Sequence, residues 1–458
     1  MTTRTVQPPL SYIPANLKPW LLKVARPILP LWLRFSLGVY DVHLANAEEL
    51  VKQYRRFQAG KTRLMLAFRH PSLDDPPCLA YTLSYALDRA ARRQGVSLKH
   101  PLFAHFIYDR GIPLWAGPRI EWILPRLGAS SLLRGKLDRQ GLQGARDLFA
   151  NGSMPLAIAP EGAINGHSER VNPLEPGVAQ LAFWCASDLQ KAGRDEGVAI
   201  APIGIRYFYI EPPWARLDAL LTQLERDCGI APPARALSSS DANPVETLYP
   251  RLVTLGERTL SMVEAFYIKL YNHEPPENGT FQTRLQALLG AAIAVAESHF
   301  NLKPKEDFIS RRHRVEQAAW DWIYREDIQD LDALSSFERS LADRAAAEAS
   351  DRLWHMRLME RFTTVSGTYV RDNPTVERFT ETTLLLWYLV ALVTEQPTDA
   401  LPELGARRAE VVVGNTIAIA DYWQDYQSNR RQTVDKLTQD LQASLEAAIA
   451  PRDTHPDR

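Results

Sequence analysis

Cysteine is scarce in this chain, with three in 458 residues. Cys78, Cys185 and Cys228 stand far apart with no C-x-x-C spacing, which argues against a zinc module and a disulfide framework and fits a reducing compartment. They are expected as small core residues. A surplus of charge is also missing: 53 Lys and Arg face 54 Asp and Glu. No global basic field draws the protein to nucleic acid, and attraction to an anionic membrane must come from a local patch. No apolar run reaches the roughly 18–20 residues needed to span a bilayer. The first residues lack the apolar core and small-residue cleavage site of a signal peptide, so the chain is expected to stay on the cytoplasmic side. H-E-x-x-H, G-x-S-x-G and Walker-type glycine patterns are all missing. Metal, serine-hydrolase and nucleotide-triphosphate chemistry lose ground accordingly, and no metal or resident cofactor is expected.

What is present is a globular composition. Apolar content of 45 % with mixed charge suits packed domains, and the length allows two or more. From Arg63 to Tyr207 strand-like runs (Leu64–Phe68, Leu102–Tyr108, Leu156–Ala159, Val198–Tyr207) alternate with helical patterns, the arrangement of an α/β layered domain. Glu211-Pro212-Pro213 breaks that pattern, and the chain then reads as helical to about Pro402, with helix-compatible stretches at Val245–Asn272, Thr280–Phe300, Val315–Tyr324, Leu331–Met359 and Val376–Thr394. A strand pattern returns at Ala409–Ile419, and a helix is expected from Asp421 to Ala448.

A local patch does exist near the start. Between Asn16 and Gly38, Lys18, Lys23, Arg26 and Arg34 occur without one acid among Trp20, Leu21, Leu22, Ile28, Leu29, Leu31, Trp32 and Phe35. This mixture suits the headgroup layer of a membrane, while Pro19, Pro27 and Pro30 argue against one continuous spanning helix. The competing reading is a helix packed on its own domain, and the two are compatible.

The most informative stretch is Arg69-His70-Pro71-Ser72-Leu73-Asp74-Asp75-Pro76, at the junction of the run Leu64–Phe68 with a helix expected from Pro77 to Arg93. An imidazole beside a carboxylate makes a proton acceptor for a hydroxyl at neutral pH. Asp75, near a helix N-terminus, is expected to stay ionised, since free N–H groups there favour the anion by roughly 0.3–1 kcal/mol. Taken alone, these residues fit a plain helix cap and an ordinary strand-end histidine better.

Three further blocks follow in order. They are Gly128-Ala129-Ser130-Ser131-Leu132-Leu133-Arg134, then Ala159-Pro160-Glu161-Gly162 with Leu174–Ala182 after it, then Ile200-Ala201-Pro202-Ile203-Gly204-Ile205. Together with the H-x-x-x-x-D spacing of His70 and Asp75, this succession resembles the glycerolipid acyltransferase family, the 1-acylglycerol-3-phosphate acyltransferases among them. The resemblance implies transfer of a fatty acyl group from a thioester, acyl-carrier protein or coenzyme A, to a glycerolipid hydroxyl in phospholipid biosynthesis. His70 would be the base and Asp75 its orienting acid. Arg134 would grip a phosphate, near Lys136 and Arg139, and Glu161 and Gly162 would form the acceptor-binding turn.

The match departs in the third block, where Ile164 holds the position of the family's arginine, and Arg170 is the nearby substitute. A glycerol-3-phosphate or non-phosphorylated acceptor therefore stays open, as does a lipid-binding or scaffolding protein of the same fold. The run Ala409–Ile419 resembles the family's closing strand, displaced by some two hundred residues. The expected organisation is an N-terminal membrane-contacting region over 1–62, a core at 63–210, a helical insertion at 211–403, the closing strand and helix of the core at 404–450, and a polar tail at 451–458. The expected partners are a membrane surface, a lysophospholipid and an acyl thioester, with no nucleic acid.

Overall fold

Apolar runs alternating with helices build an open, mostly parallel sheet covered on both faces, as a computed structural model of the chain shows. The structure describes residues 4–133, 138–231, 233, 237, 243–304, 308–328, 330–360, 368–398 and 401–450. Helix α1 (Pro19–Ser36) leads to β1 (Val39–Ala45), α2 (Ala47–Gln58) and β2 (Thr62–Phe68). Next come α3 (Asp75–Tyr81), a π-helical stretch (Thr82–Leu87), α4 (Asp88–Arg93) and β3 (His105–Asp109). Short helices α5 (Ile112–Ala116) and α6 (Pro118–Arg126) precede β4 (Ser130–Leu132), α7 (Arg139–Asn151), β5 (Leu156–Ile158), α8 (Gly177–Lys191) and β6 (Gly197–Tyr209). The helical stretch comprises α9 (Trp214–Asp227), α10 (Pro244–Tyr271), α11 (Phe281–His299), α12 (Phe308–Ile323), α13 (Ser336–Glu360), α14 (Tyr369–Asp372) and α15 (Val376–Val393). The chain then returns with β7 (Arg407–Val413), β8 (Ile417–Ala418), a 3₁₀ turn (Ile419–Tyr422), α16 (Trp423–Ser428) and α17 (Arg430–Ile449). Asn429 caps α17 and so splits the single helix expected from Asp421.

Two compact units result. An α/β unit gathers Tyr12–Leu133, Asp138–Glu211 and the chain from Gly405, and a helical unit gathers the residues through Ser11 with Pro212–Leu404. In the first, the strand order is β1-β7-β6-β2-β5-β3-β4, with β8 added to β6. Strands β6, β2, β5, β3 and β4 are parallel, and β7 runs antiparallel to β6. From β2 the chain crosses to β3, works back to β5, and crosses β2 again to reach β6. The carboxyl ends of β2, β5 and β6 thus flank a topological switch point, the place where open α/β sheets carry their sites.

Burial explains why β2 reads as a continuous apolar run. Leu64, Leu66 and Phe68 pack with Tyr54, Leu79 and Leu83 on one face, while Met65 and Ala67 pack with Phe149, Phe183 and Leu441 on the other. With both faces covered, no polar alternation survives. Cutting Leu66 to Ala would cost about 2–5 kcal/mol in such a core.

The stretch 1–62 is divided. Val6 donates its N–H to Asp343 in the helical unit. From Tyr12 onward the chain belongs to the α/β unit, where Ser131 donates to the Ile13 carbonyl at 3.0 Å and β1 joins the sheet beside β7. Helix α1 is continuous despite Pro27 and Pro30. Pro30 lacks the N–H that would bond the Arg26 carbonyl, and the Tyr85 hydroxyl donates to that carbonyl instead at 2.7 Å. One side of α1 buries Leu21, Leu22 and Leu33, while Trp20, Val24, Ile28, Leu31 and Phe35 stand exposed at helical spacing, Phe35 by 75 %. No described helix is long and apolar enough to cross a membrane.

The helical unit has its own core, with Leu260, Tyr267, Leu288, Ile293 and Leu389 buried together. Arginine-carboxylate pairs tie its helices: Arg251 reaches Glu225 at 2.8 Å from α10 to α9, and Arg311 reaches Glu297 at 2.7 Å from α12 to α11. All three cysteines are buried and free.

Candidate active site

Strand β2 ends at Phe68, but the ladder continues one residue, since the Arg69 N–H donates to the Ile203 carbonyl at 2.9 Å. The Arg69 guanidinium is wholly buried. It donates to the carbonyls of Ser168 (2.7 Å), His167 (3.0 Å) and Arg170, and pairs with Glu161 at 3.3 Å. A buried cation is tolerable only when its donors are met this fully. Arg69 thereby fastens the loop after β5 to the end of β2.

Glu161 completes the fastening. One carboxylate oxygen accepts the His70 N–H at 3.0 Å, and the other accepts Asn165 Nδ2 at 2.7 Å and the Asn172 N–H at 2.9 Å. The side chain is wholly buried, so both oxygens are occupied by protein donors. Gly162 adopts φ +69°, and a Cβ there would lie 2.1 Å from Glu175 Oε1. Glycine takes this left-handed conformation without strain, and any larger residue would also have to displace the Glu175 side chain. The first and third sequence blocks, far apart in the chain, are therefore one hydrogen-bonded body.

On it sits the pair read from the sequence. His70 Nδ1 lies 3.0 Å from Asp75 Oδ2, which also accepts the Ser72 N–H at 2.8 Å. Asp75 Oδ1 accepts the Tyr207 hydroxyl at 2.6 Å, from a part of β6 that extends beyond its pairing with β2. Asp74 next to it accepts Arg407 at 2.7 Å, and that guanidinium lies 5.2 Å from the centre of the Tyr207 ring. Asp75 is fully buried, whereas the His70 side chain is 20 % exposed. One partner fixes the imidazole and the other can meet a substrate.

Electrostatics qualify the expectation for Asp75. Burial pushes its carboxyl above the usual range, and the His70, Tyr207 and Ser72 hydrogen bonds pull against that push. Its place as the first residue of α3 does not decide the matter. The same burial, with the Asp75 charge beside it, raises the Tyr207 hydroxyl well above the ordinary phenol value, so it stays a donor. Against an ionised Asp75, His70 carries its proton on Nδ1, an assignment from the hydrogen-bond network, and keeps the Nε2 lone pair for an incoming hydroxyl.

His70, Asp75, Glu161 and Gly162 thus share one place. Arg170 is in the same loop, with its carbonyl bound to Arg69 and Asn165 Nδ2 and its side chain half-buried. Arg134 and Lys136 lie outside the described residues, while Arg139 is exposed at the start of α7. Sequence reasoning missed the positioning roles of Tyr207, Arg69 and Arg407. Arg69 carried a signal, a cation directly following a strand of buried apolar residues, but Tyr207 carried none. No family model matches the chain, and no curated protein matches it.

Proposed function

We propose that the α/β unit is an O-acyltransferase that moves a fatty acyl group from a coenzyme A or acyl-carrier-protein thioester to a glycerolipid hydroxyl, most simply that of 1-acylglycerol-3-phosphate. The observation that carries this reading is the partly exposed imidazole of His70 backed at 3.0 Å by the buried Asp75. In this scheme His70 Nε2 takes the acceptor's hydroxyl proton as its oxygen attacks the thioester carbonyl carbon. The tetrahedral adduct collapses by breaking the carbon–sulfur bond, and the imidazolium returns its proton to the departing thiolate. An ester and a free thiol result, with no covalent enzyme intermediate. Asp75 offsets the charge that develops on the ring, and Glu161 acts through the His70 backbone and the loop rather than on the acceptor.

The exposed apolar stripe of α1, with Lys23 and Arg34 on the same helix, supports contact with a membrane in which a lipid acceptor is dissolved. A second reading, with a neutral acceptor, is favoured by one feature: Ile164 stands where the resemblance places a phosphate-binding arginine. The test is incubation of the purified protein with radiolabelled acyl-coenzyme A and acyl-carrier protein against 1-acylglycerol-3-phosphate, glycerol-3-phosphate and monoacylglycerol. Ester formation that His70→Ala abolishes supports the proposal, and the preferred acceptor separates the two readings. No transfer to any acceptor, with lipid binding intact, replaces it with a binding role.

A further inference from the structure

Within the helical unit α10, α11 and α15, together with Leu358 and the α14 residues Tyr369–Arg371, line a cavity of about 280 Å³. Its floor is made of Leu260, Leu288, Leu289, Leu386 and Leu389, all buried. Protein interiors are close-packed, and voids larger than a water molecule are few. An apolar cavity of about 150 Å³ stays dry and takes a benzene ring, so by proportion this one takes a hydrocarbon of roughly ten to twelve carbons. Among the described residues, the charged side chains that line it are Glu257 and Arg371. Their surroundings differ. Glu257 is held by Arg284 at 2.9 Å, whereas Arg371, two-thirds exposed, has Asp372 at a loose 3.8 Å. The anion is neutralised and the cation is only lightly engaged.

We infer that the helical unit binds a single-chain anionic amphiphile, a medium-chain fatty carboxylate, with its chain in the leucine-lined cavity and its head on Arg371. This inference does not rest on the acyl-transfer reading, since it concerns side chains of the helical unit alone. Titration calorimetry of the full chain with decanoate, kept below its micelle concentration, should show one site and a negative heat-capacity change from apolar burial. Arg371→Glu should weaken decanoate roughly three- to tenfold while leaving decanol within about twofold, as an exposed ion pair allows. Ala292→Phe, which fills the cavity, should abolish binding of both, and His70→Ala should leave both unchanged. Photolabelling of the unaltered chain with a diazirine-bearing decanoate, read by peptide mass spectrometry, should mark 249–263, 281–292 or 369–389, and needs no variant to fold. Absence of binding heat, equal weakening of decanol and decanoate by Arg371→Glu, or label confined to the α/β unit would each overturn the inference.

Discussion

Tyr207 donates its hydroxyl to Asp75 at 2.6 Å, so the acid behind the candidate base is held from the neighbouring strand β6 as well as from its own turn. The bond is buried, and a hydrogen bond to a charged group contributes about 1.5–3 kcal/mol. Tyr207→Phe should therefore lower kcat by roughly ten- to a hundredfold, by that same range. Because the Asp75 carboxylate loses a stabilising donor, the acid limb of the pH–rate profile should move to higher pH, with KM for the thioester unchanged. A phenylalanine variant with the wild-type profile would deny Tyr207 a positioning role.

Asp75 should cost stability for the sake of its site. Its carboxyl is pushed up by burial, so the native chain holds this proton more tightly than the unfolded chain does. The sign follows: the contribution to stability is full below the unfolded carboxylate value and is lost as pH rises through the native one. Asp75→Asn should raise the stability measured by denaturant unfolding at pH 7 by roughly 0.5–2 kcal/mol, the usual return of relieving a functional site. The gain should vanish as the pH falls toward about 4, the ordinary carboxylate range. Activity should be lost at every pH, since asparagine would hold the wrong imidazole tautomer.

His70 can be removed with little structural consequence, because its ring is partly exposed. His70→Ala should reduce acyl transfer by about 10²–10⁴, the span of general-base catalysis. Its melting temperature should stay close to that of the unaltered chain. Retained turnover in a folded His70→Ala protein would assign the base elsewhere.

Glu161 and Arg69 predict an asymmetry. Glu161→Gln leaves a fully buried guanidinium without its counter-charge, and breaking a buried pair from one side costs about 3–5 kcal/mol. Arg69→Met is the milder change, since Glu161 keeps the His70 and Asn172 N–H groups and Asn165 Nδ2 as donors. Urea unfolding of the two single variants and the double variant measures this, and equal losses would contradict the wiring described.

These residues also show what was legible in the sequence. The strands of the sheet centre were readable because burial on both faces leaves unbroken apolar runs, and His70 and Asp75 were readable because one turn carries both. Tyr207 was not: it lies in the run Val198–Tyr209, where nearly every position is apolar, and its partner is 132 residues away. β1 was hidden by the exposed Tyr40 and Asp41 that break its pattern at the sheet edge. The prolines of α1 argued against one continuous spanning helix because a proline removes a hydrogen bond, and the substitute donor that serves the freed carbonyl, Tyr85, belongs to another element. The cavity of the helical unit was invisible for a related reason, since leucines that line a cavity and leucines that fill a core share one helical period.

The exposed face of α1 yields the last prediction. Trp20, Val24, Ile28, Leu31 and Phe35 follow one another at intervals of three or four and therefore lie on one side of the helix, away from the buried Leu22 and Leu33. Apolar side chains left in water on a folded surface are available to a hydrocarbon layer, and full burial of a leucine or phenylalanine contributes about 1.5–3 kcal/mol. The interface recovers part of that, so Leu31→Glu with Phe35→Glu should weaken sedimentation with anionic vesicles at least about tenfold. Lys23→Gln and Arg34→Gln should instead remove a salt-sensitive component, worth about 1 kcal/mol per cation near an anionic surface. Neither pair should alter the melting temperature, because all four side chains are solvent-exposed. Vesicle binding that survives both pairs unchanged would show that this stripe does not meet the membrane.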